Sequence, residues 1–112
     1  MKVAIIGSRS IDDIKSEFIR EHLPQKCSEI ISGGSHGVDT LAQKFAADQN
    51  IPFRCFLPNY SLYGRIAPII RNKQIIQHSD FVLVFWDGKS KGSNFVINSC
   101  QSEGKPFKVV KC

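Results

Sequence analysis

Three glycine-rich segments carry the residue types that bind anions. The first is Gly7-Ser8-Arg9, which follows the apolar residues 3–6. The second is Ser32-Gly33-Gly34-Ser35-His36-Gly37-Val38-Asp39-Thr40, after Glu29-Ile30-Ile31. The third is Trp86-Asp87-Gly88-Lys89-Ser90-Lys91-Gly92-Ser93, after residues 81–85. Helix-like spacing follows each one. A glycine-rich turn between a buried strand and a helix leaves backbone N–H groups available. The helix N-terminus adds partial positive charge. Three such turns in 112 residues point to one crevice made for an anion, with a nucleotide phosphate as the leading choice.

Each segment has a functional reading and a plainer one. Gly7 permits a tight turn, Ser8 can donate, and Arg9 can grip a phosphate through two parallel bonds. A simple strand–helix turn with a surface arginine would use the same residues. Gly33 and Gly34 let an anion approach the backbone. Gly37 falls at a helix start, where a β-carbon could block packing. Ser35 and His36 lie on the same turn, exposed enough for the imidazole to bind or titrate. Asp39 falls in the first helical turn, where it either caps the helix or accepts hydrogen bonds from a ribose. Ser90, Gly92 and Ser93 suit an anion at a helix N-terminus. Asp87 suits a ribose or a metal, but one carboxylate specifies neither, and no metal site is expected. Arg71 and Asn72 lie between the third and fourth strands. There Arg71 either reaches over the crevice or forms part of an ordinary basic helix surface. Tyr60, Tyr63 and Trp86 could stack on a base or pack against the sheet. The turns lack the G-x-x-x-x-G-K-[ST] order and the G-x-G-x-x-G spacing. A phosphate-loop nucleoside triphosphatase is therefore rejected, and an ordinary dinucleotide dehydrogenase is unsupported.

The elements that must position these residues alternate strand and helix. Strands are expected at 2–6, 29–32, 52–57, 80–85 and 107–110. A first helix, capped by Ser10 or Asp12, carries Ile14, Phe18, Ile19 and His22, and Pro24 closes it. A second starts at Val38 and carries Leu41, Ala42, Phe45 and Ala46 at the spacing of an amphipathic helix. Residues 58–64 read as a loop. A third helix from Ala67 or Pro68 carries Ile69, Ile70, Ile75 and Ile76. A fourth spans 93–103 and stops at Gly104. The unbroken apolar run 81–85 suits a central strand covered on both faces. Five strands alternating with four helices predict an α/β fold, a Rossmann-like, doubly wound parallel five-stranded sheet with helices on both faces. Such sheets bind ligands beyond the carboxyl ends of the strands, where strand order reverses. All three turns fall at that edge.

Length and composition agree with one domain over residues 1–112, with 42% hydrophobic residues. No apolar run approaches the roughly 20 residues that span a bilayer, and the N-terminus lacks a signal-peptide pattern. A cytoplasmic, non-membrane protein is expected. Cys27, Cys55, Cys100 and Cys112 form no C-x-x-C pair and read as reduced thiols, Cys55 in the core and Cys112 exposed. The net charge of +5 favours anionic ligands in general, although a solvated surface also accounts for it. No basic–aromatic run marks a nucleic-acid groove.

Taken together, these blocks resemble the SLOG superfamily. The similarity runs through residues 2–9, 32–42, Tyr63-Gly64, Arg71-Asn72, Ser79-Asp80 and 85–92. The superfamily includes small stand-alone proteins of the YspA/YpsA group, the DprA (Smf) DNA-processing proteins and the LOG lysine-decarboxylase-like phosphoribohydrolases. The resemblance implies a compact Rossmann-like sheet that binds nucleotides or nucleotide-derived ligands, as a homodimer or higher homo-oligomer. The LOG hydrolases carry P-G-G-x-G-T-x-x-E after the fourth strand. Gly92-Ser93 matches its G-T, Arg71 matches an arginine on the preceding helix, and Val96 stands where the catalytic glutamate does. Stand-alone relatives usually carry arginine at the position of His36 and threonine at that of Val96.

These readings predict binding of a nucleotide or an ADP-ribose-like ligand by a sensor or accessory module. The site would comprise Gly7, Ser8, Arg9, Gly33, Gly34, Ser35, His36, Gly37, Asp39, Arg71, Asn72, Asp87, Ser90, Gly92 and Ser93. One alternative is hydrolysis of a nucleoside monophosphate at its N-glycosidic bond, with Arg71, Asp39 and Asp87 as the catalytic candidates. Another is DprA-like binding of single-stranded DNA, a nucleic-acid partner ranked below the small molecule.

Overall fold

The computed structural model describes residues 1–8, 10–11, 16–34 and 37–112. Five strands run β1 Lys2–Gly7, β2 Glu29–Ser32, β3 Phe53–Cys55, β4 Phe81–Trp86 and β5 Phe107–Lys111. They form one sheet in the order β3-β2-β1-β4-β5, and every neighbouring pair is parallel. The helices are α1 Ser16–His22, α2 Val38–Asp48, α3 Tyr60–Tyr63, α4 Ala67–His78 and α5 Lys91–Glu103. A 3-10 turn, Gly64–Ile66, joins α3 to α4. This is the Rossmann-like α/β architecture that the alternating pattern predicts.

The alternation of side chains along each strand builds two cores. On one face Val3, Ile5, Ile30, Leu83 and Phe85 pack with Ile19 of α1 and with Val38, Ala42, Phe45 and Ala46 of α2. On the other, Ala4, Ile6, Ile31, Val82 and Val84 meet Ile75 and Ile76 of α4 and Val96, Ile97 and Cys100 of α5. The run Phe-Val-Leu-Val-Phe feeds both cores alternately, because β4 lies inside the sheet between β1 and β5. Each fully buried aliphatic side chain contributes about 1.5–3 kcal/mol relative to exposure.

Several boundaries differ from the sequence expectation. β3 is confined to Phe53–Cys55 and forms the sheet edge. Its pairing partners are Ile30–Ser32, and the Phe56 N–H makes a last bond to the Ser32 carbonyl at 2.9 Å where β2 ends. Cys55 is accordingly exposed rather than in the core. The expected loop 58–64 contains α3, capped by Asn59, whose side-chain oxygen accepts from the Leu62 N–H. α5 begins at Lys91 because Ser90 caps it, accepting from the Ser93 N–H at 3.3 Å. Gly104, at φ 68°, ends that helix in the left-handed region as expected. The proposed cap Asp12 and the helical position Ile14 lie outside the described residues. Among the described residues, no helix is long and apolar enough to cross a membrane.

Candidate nucleotide site

Strand order reverses between β1 and β4, so the crevice opens beyond Gly7 and Trp86. Ser8 staples these two ends together. Its N–H donates to the Phe85 carbonyl at 3.0 Å, and its hydroxyl accepts from the Asp87 N–H at 3.2 Å. The hydroxyl also lies 3.5 Å from that of Ser93, at the start of α5. Ser8 is buried. Gly7 serves helix packing, since a β-carbon there would lie 2.3 Å from Val38 Cβ. Only glycine lets α2 start this close to the end of β1.

The second turn is held from two helices at once. Asp39 of α2 is buried, and its Oδ2 accepts from the Gly33 N–H at 3.2 Å. Arg71 of α4 donates from Nη1 to the Gly33 carbonyl at 2.6 Å, and from Nε to Asn72 Oδ1 at 2.9 Å. Asp39 therefore braces the turn, and its own helix is capped by Gly37 without a side-chain bond. Gly37 has φ 79°, so glycine answers a backbone requirement at the start of the helix. Gly34 also has positive φ, and a β-carbon there would press on Leu57 and Cys55.

The third turn is organised by Asp87. Its Oδ1 accepts from the N–H groups of Lys89 and Ser90, both at 2.8 Å, and its Oδ2 from the Ser10 hydroxyl. The Ser10 hydrogen bond first, then the two backbone N–H groups, hold the carboxyl well below the usual carboxylate range. Asp87 stays ionised at neutral pH and is a poor proton carrier. Trp86 donates its indole N–H to the Ser90 carbonyl at 3.1 Å, which ties the aromatic to the turn.

Between these turns lies a crevice of about 380 Å³, within the usual range for small-ligand sites. Of the residues expected in a site, Gly7, Gly33, Asp39, Arg71, Asn72, Asp87, Ser90, Gly92 and Ser93 line it. Ser8, Gly34 and Gly37 stand behind this lining and shape the turns. Arg9, Ser35 and His36 lie outside the described residues. Ile6, Ser10, Pro68 and Ile75 also line the crevice. Sequence reasoning missed these four as site residues. Ser10 carried a signal as a candidate cap, but its partner Asp87 is 77 residues away. Val96 is fully buried in the core beneath α5.

A sequence model of the family described as DNA recombination-mediator protein A matches residues 1–61. The chain belongs to that family. The matched stretch includes the first two glycine turns and ends within α3. No curated protein is similar enough to match the chain. Among solved structures, it is similar to DNA processing protein A (DprA) from Streptococcus pneumoniae, with a TM-score of 0.80 at 18% identity. That likeness covers 99% of this chain and 50% of the pneumococcal one, so the chain spans half the length of its structural relative. It shows that this family member shares the α/β fold of DprA.

Proposed function

We propose that the chain binds single-stranded DNA, taking one nucleotide of the strand into the crevice between β1 and β4. Family membership supports a DNA-processing role, and the geometry supplies a receptor of nucleotide size. The observation that carries the reading is the convergence of Arg71, the Gly33 turn and the α5 N-terminus on one crevice at the strand-order switch. Ser90, Gly92 and Ser93 would offer hydroxyl and N–H donors to a phosphate, and Arg71 would add charge. Asp87, held as a carboxylate, would accept from a sugar hydroxyl or a base N–H. Gly92 leaves open space above the helix start, which suits close approach of a phosphate.

Of the blocks that carry the superfamily resemblance, Arg71-Asn72 lines the same crevice. It supports a second reading, in which a free nucleotide or ADP-ribose-like molecule occupies the same receptor. The crevice's single-nucleotide size favours that reading as a competitor. Hydrolysis has less support. Arg71, Asp39 and Asp87 are all engaged in bracing turns, and buried Val96 stands in the glutamate position.

Fluorescence anisotropy with a labelled oligothymidylate tests the proposal. Saturable binding should weaken several-fold between about 50 and 200 mM salt. Arg71→Ala should weaken it roughly tenfold. Absence of binding at the lower salt would sink the DNA reading. Calorimetry with AMP and ADP-ribose then decides the second one.

A further inference from the structure

A second hollow, of about 270 Å³, opens between α3 and α4. Leu57, Asn59, Leu62, Tyr63, Ile70 and Gln74 line it together with Arg71, which also lines the first crevice. The two spaces therefore share one residue, Arg71. Leu57 strengthens that continuity, because its side chain lies against Gly34 of the second turn.

We propose that this hollow is a second nucleotide subsite, holding the base of the residue adjacent to the one in the crevice. The proposal rests on the single-strand reading above. α3 buries none of its residues, so Leu62 and Tyr63 add little to the core. They form an apolar shelf in front of solvent, where Leu62 is 67% exposed. A base gains about 1–3 kcal/mol from an aromatic platform regardless of its identity. Tyr63 supplies the ring, Leu57, Leu62 and Ile70 supply aliphatic walls, and Gln74 supplies an amide that can meet a base edge.

Charge selects the occupant. The hollow's lining holds one charged residue, Arg71, and no Asp or Glu. Along the chain, residues 49–79 contain no Asp or Glu, and Arg54 of that stretch is paired with Glu29. A second copy of the chain docked symmetrically here would bring like charges together, whereas a nucleic-acid strand would neutralise them. Arg71, between the two spaces, lies where the phosphate linking two nucleotides would pass.

Competition against a labelled oligothymidylate separates the subsite from the crevice. A thymidine dinucleotide should displace it from the wild-type protein at roughly fivefold lower concentration than thymidine 5′-monophosphate, the gain expected from one stacked base. Tyr63→Ala should abolish that advantage, and Tyr63→Phe should keep it. An equal advantage in wild type and Tyr63→Ala, or none in wild type, overturns the subsite and leaves the crevice reading intact. A wild-type protein that fails to bind the labelled strand overturns both. Sedimentation velocity adds a further check. If Tyr63→Ala turns a dimer into a monomer, the shelf is a self-association face and the subsite proposal fails.

Discussion

Arg71 donates to the Gly33 carbonyl at 2.6 Å, and a β-carbon on Gly33 would lie 2.8 Å from the same guanidinium nitrogen. Glycine and arginine at these positions are one device. The atom that would be displaced is the far end of a flexible side chain, so the clash is relieved by swinging Arg71 away. Gly33→Ala should therefore cost less than about 1 kcal/mol of stability. It should still weaken nucleotide or strand binding about as much as Arg71→Ala does. Chemical denaturation and anisotropy on the same sample check both halves.

Gly7→Ala should behave in the opposite way. Its β-carbon would lie 2.3–2.8 Å from three atoms of Val38, which is itself fully buried. Neither the strand end nor the helix start can yield locally. Overpacking of this kind costs about 1–3 kcal/mol or more. A drop in the urea midpoint should accompany any loss of binding, and the pair Gly7→Ala with Val38→Ala should recover part of it.

Asp87 should shape the acid limb of stability. Its folded carboxyl lies below the ordinary value of 3.8, so the unfolded chain binds the proton more readily. The contribution is fully present above the unfolded value and is lost as pH falls through it toward the folded one. Asp87→Asn should lower the midpoint at pH 6 and narrow the gap from wild type as pH drops below about 4. Urea titrations across that range test it, and a gap independent of pH would count against the hydrogen-bonded carboxylate.

Placing a glutamate at position 96 should not create a hydrolase. Val96 is fully buried among Ile75, Val82, Val84 and Ile97, and an unpaired carboxylate there would be desolvated. Val96→Glu should lower the melting temperature sharply, with at most trace release of base from nucleoside monophosphates. A stable variant with measurable turnover would show that α5 can rotate this position toward the crevice.

Much of the fold was legible because local pattern and long-range pattern coincide. The apolar run at 81–85 could only be a strand covered on both sides, and β4 lies inside the sheet. Val38, Ala42, Phe45 and Ala46 mark the α2 face by spacing alone. Cys55 misled for a physical reason. Its apolar neighbours suggest a core strand, but β3 is a three-residue edge and its Cys55 end is exposed. α3 was illegible because a one-turn helix with no buried residue leaves no periodic signal.

The sequence by itself determined that three glycine turns follow three strands of a parallel sheet, because apolar alternation and glycine placement are properties of short segments. It could not determine what the side chains in those turns do. Asp39 and Arg71 are 32 positions apart in the chain, yet both close on the backbone of Gly33, one on its N–H and the other on its carbonyl. Ser10 and Asp87 meet across 77 residues. Only the order β3-β2-β1-β4-β5 brings these partners together, since it sets β1 beside β4 and brings α2 and α4 to the same sheet edge from opposite faces. Tertiary structure alone decided that Asp39 and Asp87 each accept backbone N–H groups of a glycine turn and both line the crevice between the turns.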